Sequence, residues 1–192
     1  MTTTDQPRRE MILDAAVALF RTHGFHGAGI DEIGAAAGIS GPGVYRHFPN
    51  KHSLLVAMSE RVVDRLLAHN ERVFAEETDP TAALARLVRT HASFAYGSAE
   101  LISVYVQEER NLPDPDRKRI GEKQSAYIAG WVGLLEEISP EAPEEQLRAV
   151  VLAVSGMINS VTMSKRMDES SREVVEQMAM AALLAGARAA AQ

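Results

Sequence analysis

Between residues 40 and 51 the chain gathers five side chains that donate hydrogen bonds. They are the hydroxyl of Ser40, the phenol of Tyr45, the guanidinium of Arg46, the imidazole of His47 and the ammonium of Lys51. Such groups recognise anions and the acceptor-rich edges of bases; no bond need be made or broken. Nothing elsewhere supplies a catalytic constellation. Cysteine is absent, which excludes disulfides, thiolate zinc sites and cysteine nucleophiles. There is no glycine loop of phosphate-binding spacing and no Ser-His-Asp signature. His23 and His26 straddle a helix end, and Glu108-Glu109 lacks histidines at ligand spacing. We therefore expect no catalytic residue, no metal site and no cofactor. The chain reads as a binding protein, not an enzyme.

The segment that must hold those donors runs from Ile30 to Phe48. Two short helices that cross steeply need small residues at the crossing, a glycine in the turn and apolar residues facing inward. Gly34 and Ala37 meet the first need, Gly38 the second, and Ile33, Ile39 and Val44 the third. A helix opening at Pro42 is then free to lay its outer face in a major groove. Before it, Met11, Ile12, Ala15, Ala16, Leu19 and Phe20 share one helical face, with His23-Gly24 as the stop. After it, Asn50 caps a long helix of about 25 residues. Asp79-Pro80 opens a helix to about Tyr96. Others are expected over about 99–112, 115–138 and 143–166, and last from a Ser170–Glu173 capping box into the alanine-rich tail. The expectation is an all-α, nine-helix, two-domain protein. Residues 1–50 form a helix-turn-helix domain, and 51–192 form a ligand-binding and dimerisation domain.

Leu19-Phe20, Gly24-Phe25, Ile33, Ala36-Ala37-Gly38-Ile39-Ser40, Val44-Tyr45-Arg46-His47-Phe48, Lys51 and Leu54-Leu55 together resemble the DNA-binding domain of TetR-family transcriptional regulators. The resemblance implies that Tyr45 and His47 hold the DNA backbone, work suited to a phenol and an imidazole N–H. Lys51 takes the family's lysine position. A cation there opposes the helix dipole, so a nearby phosphate is its expected partner. Arg46 is expected on a base edge or a phosphate. Ser40, Gly41, Pro42 and Gly43 complete the expected DNA-facing set, with Ser40 and the Gly43 N–H meeting phosphate or base. Pro42 would pack on a thymine methyl. Arg8 and Arg9 suit a flexible arm along the backbone. Ala28 and Gly29 depart from the family, most of whose members carry serine or threonine there.

The net charge of −6 is unevenly placed. Residues 1–51 balance five basic against five acidic groups, and the remainder holds 15 against 21. A neutral domain must bind DNA through a few well-aimed groups, doubled by dimerisation. With 46% hydrophobic and 24% charged residues the composition is that of a folded soluble protein. The polar first residues and the lack of a long apolar run point to a cytoplasmic protein with no membrane partner.

The second domain offers a pocket and a dimer face. His91 shares a stripe with Leu84, Leu87, Val88 and Ala95. Glu108 aligns with Leu101, Tyr105 and Leu112, and Gln124 with Ile120, Tyr127, Trp131 and Leu134. His91, Tyr105, Glu108, Gln124, Tyr127 and Trp131 are thus the candidate pocket; a core with internal hydrogen bonds fits the same pattern. Leu147, Val150, Val151, Val154, Ile158 and Val161 form an apolar face beside small Ala149, Ala153, Gly156 and Ser160. The last helix adds Val174, Val175, Met178, Ala181, Ala182, Ala185 and Gly186. Two such helices per subunit suit a homodimer that matches a palindromic operator in double-stranded DNA. The expected function is a repressor released by a small lipophilic effector. An acyl-CoA would use Arg86, Arg89, Arg110, Lys118, Arg119 and Lys123; a cationic drug-like molecule would use Tyr105, Trp131 and Glu108. The alternative is a helical interaction protein that does not bind DNA.

Overall fold

A computed structural model describes residues 5–163 and 169–192, and among these the regular elements are all helical. Contacts divide the chain into two units. One reaches to Val62 and takes in Glu100–Ile120; the other comprises Val63–Ala99 and Gly121–Gln192. The division falls inside two long helices.

The first unit holds α1 (Asp5–Gly27), α2 (Ile30–Ala36), α3 (Gly41–Tyr45) and the start of α4 (Lys51–Glu76). It also holds most of α6 (Ala99–Glu108), a 3₁₀ turn (Glu109–Asn111) and the start of α7 (Asp114–Ile138). In α1 the buried stripe is Ile12, Leu13, Ala16, Val17 and Phe20. That is the expected 3.6-residue repeat turned by about one position. Leu13 and Val17 take the inward places, and Met11 is left 53% exposed. The helix also begins earlier than expected, so Arg9 lies within it. It breaks at Gly24 (φ 71°), a left-handed conformation that favours glycine. The break turns Phe25 back into the core, edge-on to Phe20 at 5.3 Å.

The α2–α3 crossing is as tight as the sequence demands. A Cβ on Gly34 would lie 3.0 Å from each of three backbone atoms: Gly41 N, Ile39 O and Ser40 C. Gly38 makes the turn with φ 69°. Ile33 and Val44 are fully buried and Ile39 half-buried. Asn50 caps α4 as expected, its Oδ1 accepting the Ser53 N–H at 2.8 Å.

The second unit contains the rest of α4 and α7 with α5 (Pro80–Gly97), α8 (Glu144–Asn159) and α9 (Glu169–Ala190). Asp79 caps α5, accepting the Ala82 N–H at 2.7 Å. α5, α8 and α9 pack on one another through residues such as Leu84, Leu87, Leu147, Val151, Ile158 and Leu183, all essentially without exposure. A Cβ on Gly186 would stand 2.7 Å from Val150 Cγ1, so its smallness serves α8–α9 contact within one subunit. α8 stops at Asn159 and passes into a 3₁₀ turn (Ser160–Met163). The expected continuation over 164–166 lies outside the described residues. Ser170 falls inside α9, which already includes Glu169, so it is not the residue before the helix.

Candidate nucleic-acid interface and sensing site

α3 has five residues, and its ends are fixed from within the first unit. Ser40 Oγ accepts the Gly43 N–H at 3.3 Å, and Pro42 sits in the first turn, where a missing donor costs nothing. The Gly43 N–H, expected to meet DNA, is spent on Ser40 O at 2.8 Å and on Ser40 Oγ, whereas the exposed Ser40 hydroxyl only accepts here and keeps its own proton to donate. Gly41 is a second correction: it is buried, and a Cβ there would stand 1.9 Å from Asp31 Oδ1. It is a packing residue and does not face DNA.

The three residues that end and follow α3 lie at the surface in different degrees. Tyr45 is 52% exposed, Arg46 is exposed, and His47 is half-buried. The His47 carbonyl accepts Arg9 Nη1 at 2.9 Å, and the same guanidinium lies 4.1 Å over the Phe48 ring. Arg9 is therefore a clamp on the end of α3, which overturns its assignment to a flexible arm. Arg8 is exposed, as is Pro42.

Lys51 also acquires a partner inside the protein. Its Nζ donates to His26 O at 3.1 Å and to Ala28 O at 3.0 Å, and it lies 4.9 Å over the Phe25 ring. Those carbonyls belong to the last turn of α1 and the link to α2. A phosphate is thus not needed to explain a cation at the start of α4. Two of the three ammonium protons are committed, and one is left to face outward. Gly29, which has no side chain to cap α2, is compensated by Glu32, whose Oε2 accepts the Gly29 N–H at 2.9 Å.

Of the six candidate pocket residues, four lie in the second unit and two in the first. His91, Tyr127 and Trp131 meet in the core of the second unit, with ring centroids 5.8–5.9 Å apart. His91 Nδ1 lies 2.7 Å from the Tyr127 hydroxyl and Nε2 lies 2.9 Å from Asn159 Oδ1. An amide oxygen accepts, so Nε2 carries the proton and Nδ1 accepts from the phenol. Burial holds the His91 pKa below its usual value despite the Asn159 hydrogen bond, and raises that of the Tyr127 phenol. Both are neutral at pH 7. Gln124 is half-buried on the same unit's part of α7. Asn70, which the sequence did not single out, donates to Tyr127 O at 3.0 Å.

Glu108 and Tyr105 belong to the first unit. Glu108 Oε1 accepts the Phe25 N–H at 3.1 Å, and Oε2 accepts from Asn111 at 2.6 Å. The carboxylate braces the backbone just after the Gly24 break. Tyr105 is buried, with its hydroxyl unpartnered; burial and nearby Glu109 push its pKa up to about 12. Of the basic groups expected to serve an acyl-CoA, three are paired. Arg86 binds Glu76 at 2.7 Å, Arg119 binds Glu60 at 2.8 Å, and Lys123 binds Asp64 at 2.6 Å.

Sequence reasoning missed a different set of nitrogen donors. Arg65, His69 and Arg72, spaced i, i+4, i+7 on α4, face Thr90, Ser93 and Phe94 of α5 across a cavity of about 400 Å³. Their spacing puts the three on one helical face, but nothing in the sequence shows that α5 lies opposite. A second cleft of about 300 Å³ is lined by Phe74, Leu134, Glu77 and Glu137 among others.

On the dimer question the stripe of α8 divides in two. Leu147, Val151, Val154, Ile158 and Val161 are buried in the subunit's own core, which corrects their assignment to an intersubunit face. What remains outside is Leu152 at 49%, Val174 at 56% and Met178 at 54% exposure. Small Ala149, Ala153, Gly156, Ala181 and Ala185 are exposed alongside them. No helix among the described residues is long and apolar enough to cross a membrane.

Comparison with known proteins extends these observations. The family model for bacterial regulatory proteins of the tetR family matches residues 12–58, and that for the tetracyclin repressor-like C-terminal domain matches 77–185. The HTH-type transcriptional regulator RutR of Escherichia coli K12 is 30% identical over 143 residues, covering 70% of this chain and 67% of its own. Among solved structures, a TetR-family transcriptional regulator from Bordetella parapertussis superposes with a TM-score of 0.83. It is 23% identical and covers 92% of this chain and 93% of that one. FadR from Bacillus subtilis, solved in complex with stearoyl-CoA, gives a TM-score of 0.73 at 20% identity, covering 90% and 98%.

Proposed function

The chain belongs to the TetR family of bacterial transcriptional regulators, and we propose that it acts as a homodimeric repressor, released from a palindromic operator by a small lipophilic effector. The observation that carries the DNA-binding role is the outward presentation of Tyr45 and Arg46 from a helix locked on its inner side by Gly34, Gly41 and the Ser40 cap. Arg46 reads a base edge or clamps a phosphate; Tyr45, His47 and the remaining proton of Lys51 hold the backbone. Pro42 packs on a thymine methyl. Residues 1–50 act as the reading domain and 51–192 as the sensing and pairing domain. The cytoplasm is where such a protein meets its DNA.

Pairing follows from the exposed faces of α8 and α9. Leu152, Val174 and Met178 form an apolar surface, and the alanines beside them let a second copy approach closely. A two-fold dimer presents two α3 helices to half-sites about one duplex turn apart, ~35 Å. An effector that binds better to one arrangement of α4 than to another shifts that spacing and so the affinity for DNA.

For the effector we favour an acyl-CoA, because FadR was crystallised with stearoyl-CoA and the second unit sets Arg65 and Arg72 beside Leu66 and Phe94. A lipophilic cation is the second reading. It is motivated by the cleft that sets Phe74 and Leu134 beside Glu77 and Glu137. The test is a gel shift on the DNA upstream of the chain's own gene at several salt concentrations, with added stearoyl-CoA or tetraphenylphosphonium. Specific, salt-sensitive binding relieved by one of them supports the proposal. Equal affinity for that DNA and random duplex overturns it.

A further inference from the structure

The cavity between α4 and α5 contains a set of groups that the DNA-binding role does not use. Arg65 and Arg72 stand two helical turns apart on α4 with His69 between them, and Thr90, Ser93 and Ser98 bring hydroxyls from the α5 side. Arg65 has no carboxylate partner among the described residues; its guanidinium lies 4.9 Å over the Phe94 ring, which fixes its plane. Arg72 spends its Nε on Ala68 O at 3.2 Å, leaving the terminal nitrogens of its fork.

The surrounding carboxylates take their close ion pairs elsewhere, while Glu76 also acts on Arg72 at longer range. Glu76, the carboxylate that acts on His69, is held by Arg86 at 2.7 Å. Asp64, beside Arg65 in sequence, is held by Lys123 at 2.6 Å. His69 Nε2 is buried without a hydrogen-bond partner, a costly state unless something fills the place. Burial, then the charges of Arg72 and Arg86, hold this imidazole below its usual pKa. It is therefore neutral at pH 7 and can offer an N–H without adding charge.

We propose that this groove is an oxyanion-binding site. Arg65 and Arg72 grip a phosphate or carboxylate group of a small ligand, Thr90 and Ser93 donate to it, and His69 Nε2 closes the unpaired position. Leu66 and Phe94 form an apolar wall against which the carbon frame of that ligand rests. The inference deepens the effector reading by favouring an anionic ligand over a cation, and it rests on that reading only for its biological use. Anion binding here is measurable on the protein alone, so its failure would leave DNA binding untouched.

The experiment is isothermal titration of the full-length protein, without DNA, with three probes: inorganic phosphate, coenzyme A and sodium laurate. It is repeated on Arg65→Ala/Arg72→Ala and on Arg188→Ala, an exposed control outside the groove. We expect saturable binding that the double variant weakens ten-fold or more (roughly two charge-assisted hydrogen bonds) and that Arg188→Ala leaves unchanged. Binding of phosphate and coenzyme A assigns the site to a phosphate; binding of laurate alone assigns it to a carboxylate. Circular dichroism checks that the double variant is folded, and Arg65→Lys/Arg72→Lys provides a charge-conserving second test with partial retention expected. If no probe binds the wild type, or if each binds the double variant as tightly, there is no such site.

Discussion

In the helix-turn-helix the decisive contacts are made by backbone. Gly34 stands 3.0 Å, in Cβ terms, from three main-chain atoms, and Gly38 turns with positive φ. In the second unit the corresponding work is done by large side chains and buried polar groups: Trp131, His91, Tyr127, Asn70 and Asn159. The contrast has a functional meaning. A surface that must fit one duplex needs a rigid short helix, and close backbone approach supplies it with few residues. A core that must respond to a ligand is better built from hydrogen bonds that can be re-paired.

Perturbing each kind of contact tests this difference, and the largest effect is expected in the side-chain-built core. Trp131→Ala leaves a cavity at a site with no exposure and should cost about 3–5 kcal/mol, read as a lowered urea midpoint. Gly34→Val attacks the backbone-built crossing. It should cost about 1–3 kcal/mol by overpacking and remove operator binding, because α3 cannot keep its seat. If the variant binds DNA normally, the close approach is not what positions α3. Arg9→Ala acts more mildly. Losing the bond to His47 O and the stack on Phe48 should cost about 1 kcal/mol, with a several-fold loss of operator affinity although Arg9 need not touch DNA.

The smallest effect is a pH slope. Burial depresses the His91 pKa in the folded state from the usual 6.5, so the unfolded chain binds the extra proton first. Stability is then complete above about pH 6.5 and falls as the pH drops through the window below it. His69, depressed in the same direction, adds to the slope. Thermal melts between pH 7.5 and 5 should show a shallower decline for His91→Gln than for the wild type. An identical decline would mean that His91 is solvated or charged when folded.

The same contrast decides what could be read from the sequence. The helix order, the Gly24 and Gly38 breaks, the Asn50 and Asp79 caps and the Gly34 crossing were all legible because they depend on neighbours within a few residues. Partnerships across tens of residues were not. Lys51 reaches back to His26 and Ala28, Glu108 braces Phe25, and Arg9 holds His47; each side chain shows its chemistry in the sequence but not its distant acceptor. The α8 stripe was legible as apolar, yet which edge turns inward depends on α5 and α9. The candidate pocket residues fall in both units for the same reason. Helical periodicity places Glu108 and Trp131 on apolar faces without saying that those faces belong to different units.

The most direct test of the account is fluorescence anisotropy with a labelled duplex from the upstream region, comparing wild type with Tyr45→Phe/Arg46→Ala at matched dimer concentration. The account predicts nanomolar-range, salt-dependent binding by the wild type (on the order of 10⁻⁸ M). It predicts at least a ten-fold loss in the variant, with unchanged melting temperature. Equal affinities for the two proteins would contradict the claim that the outer end of α3 reads DNA.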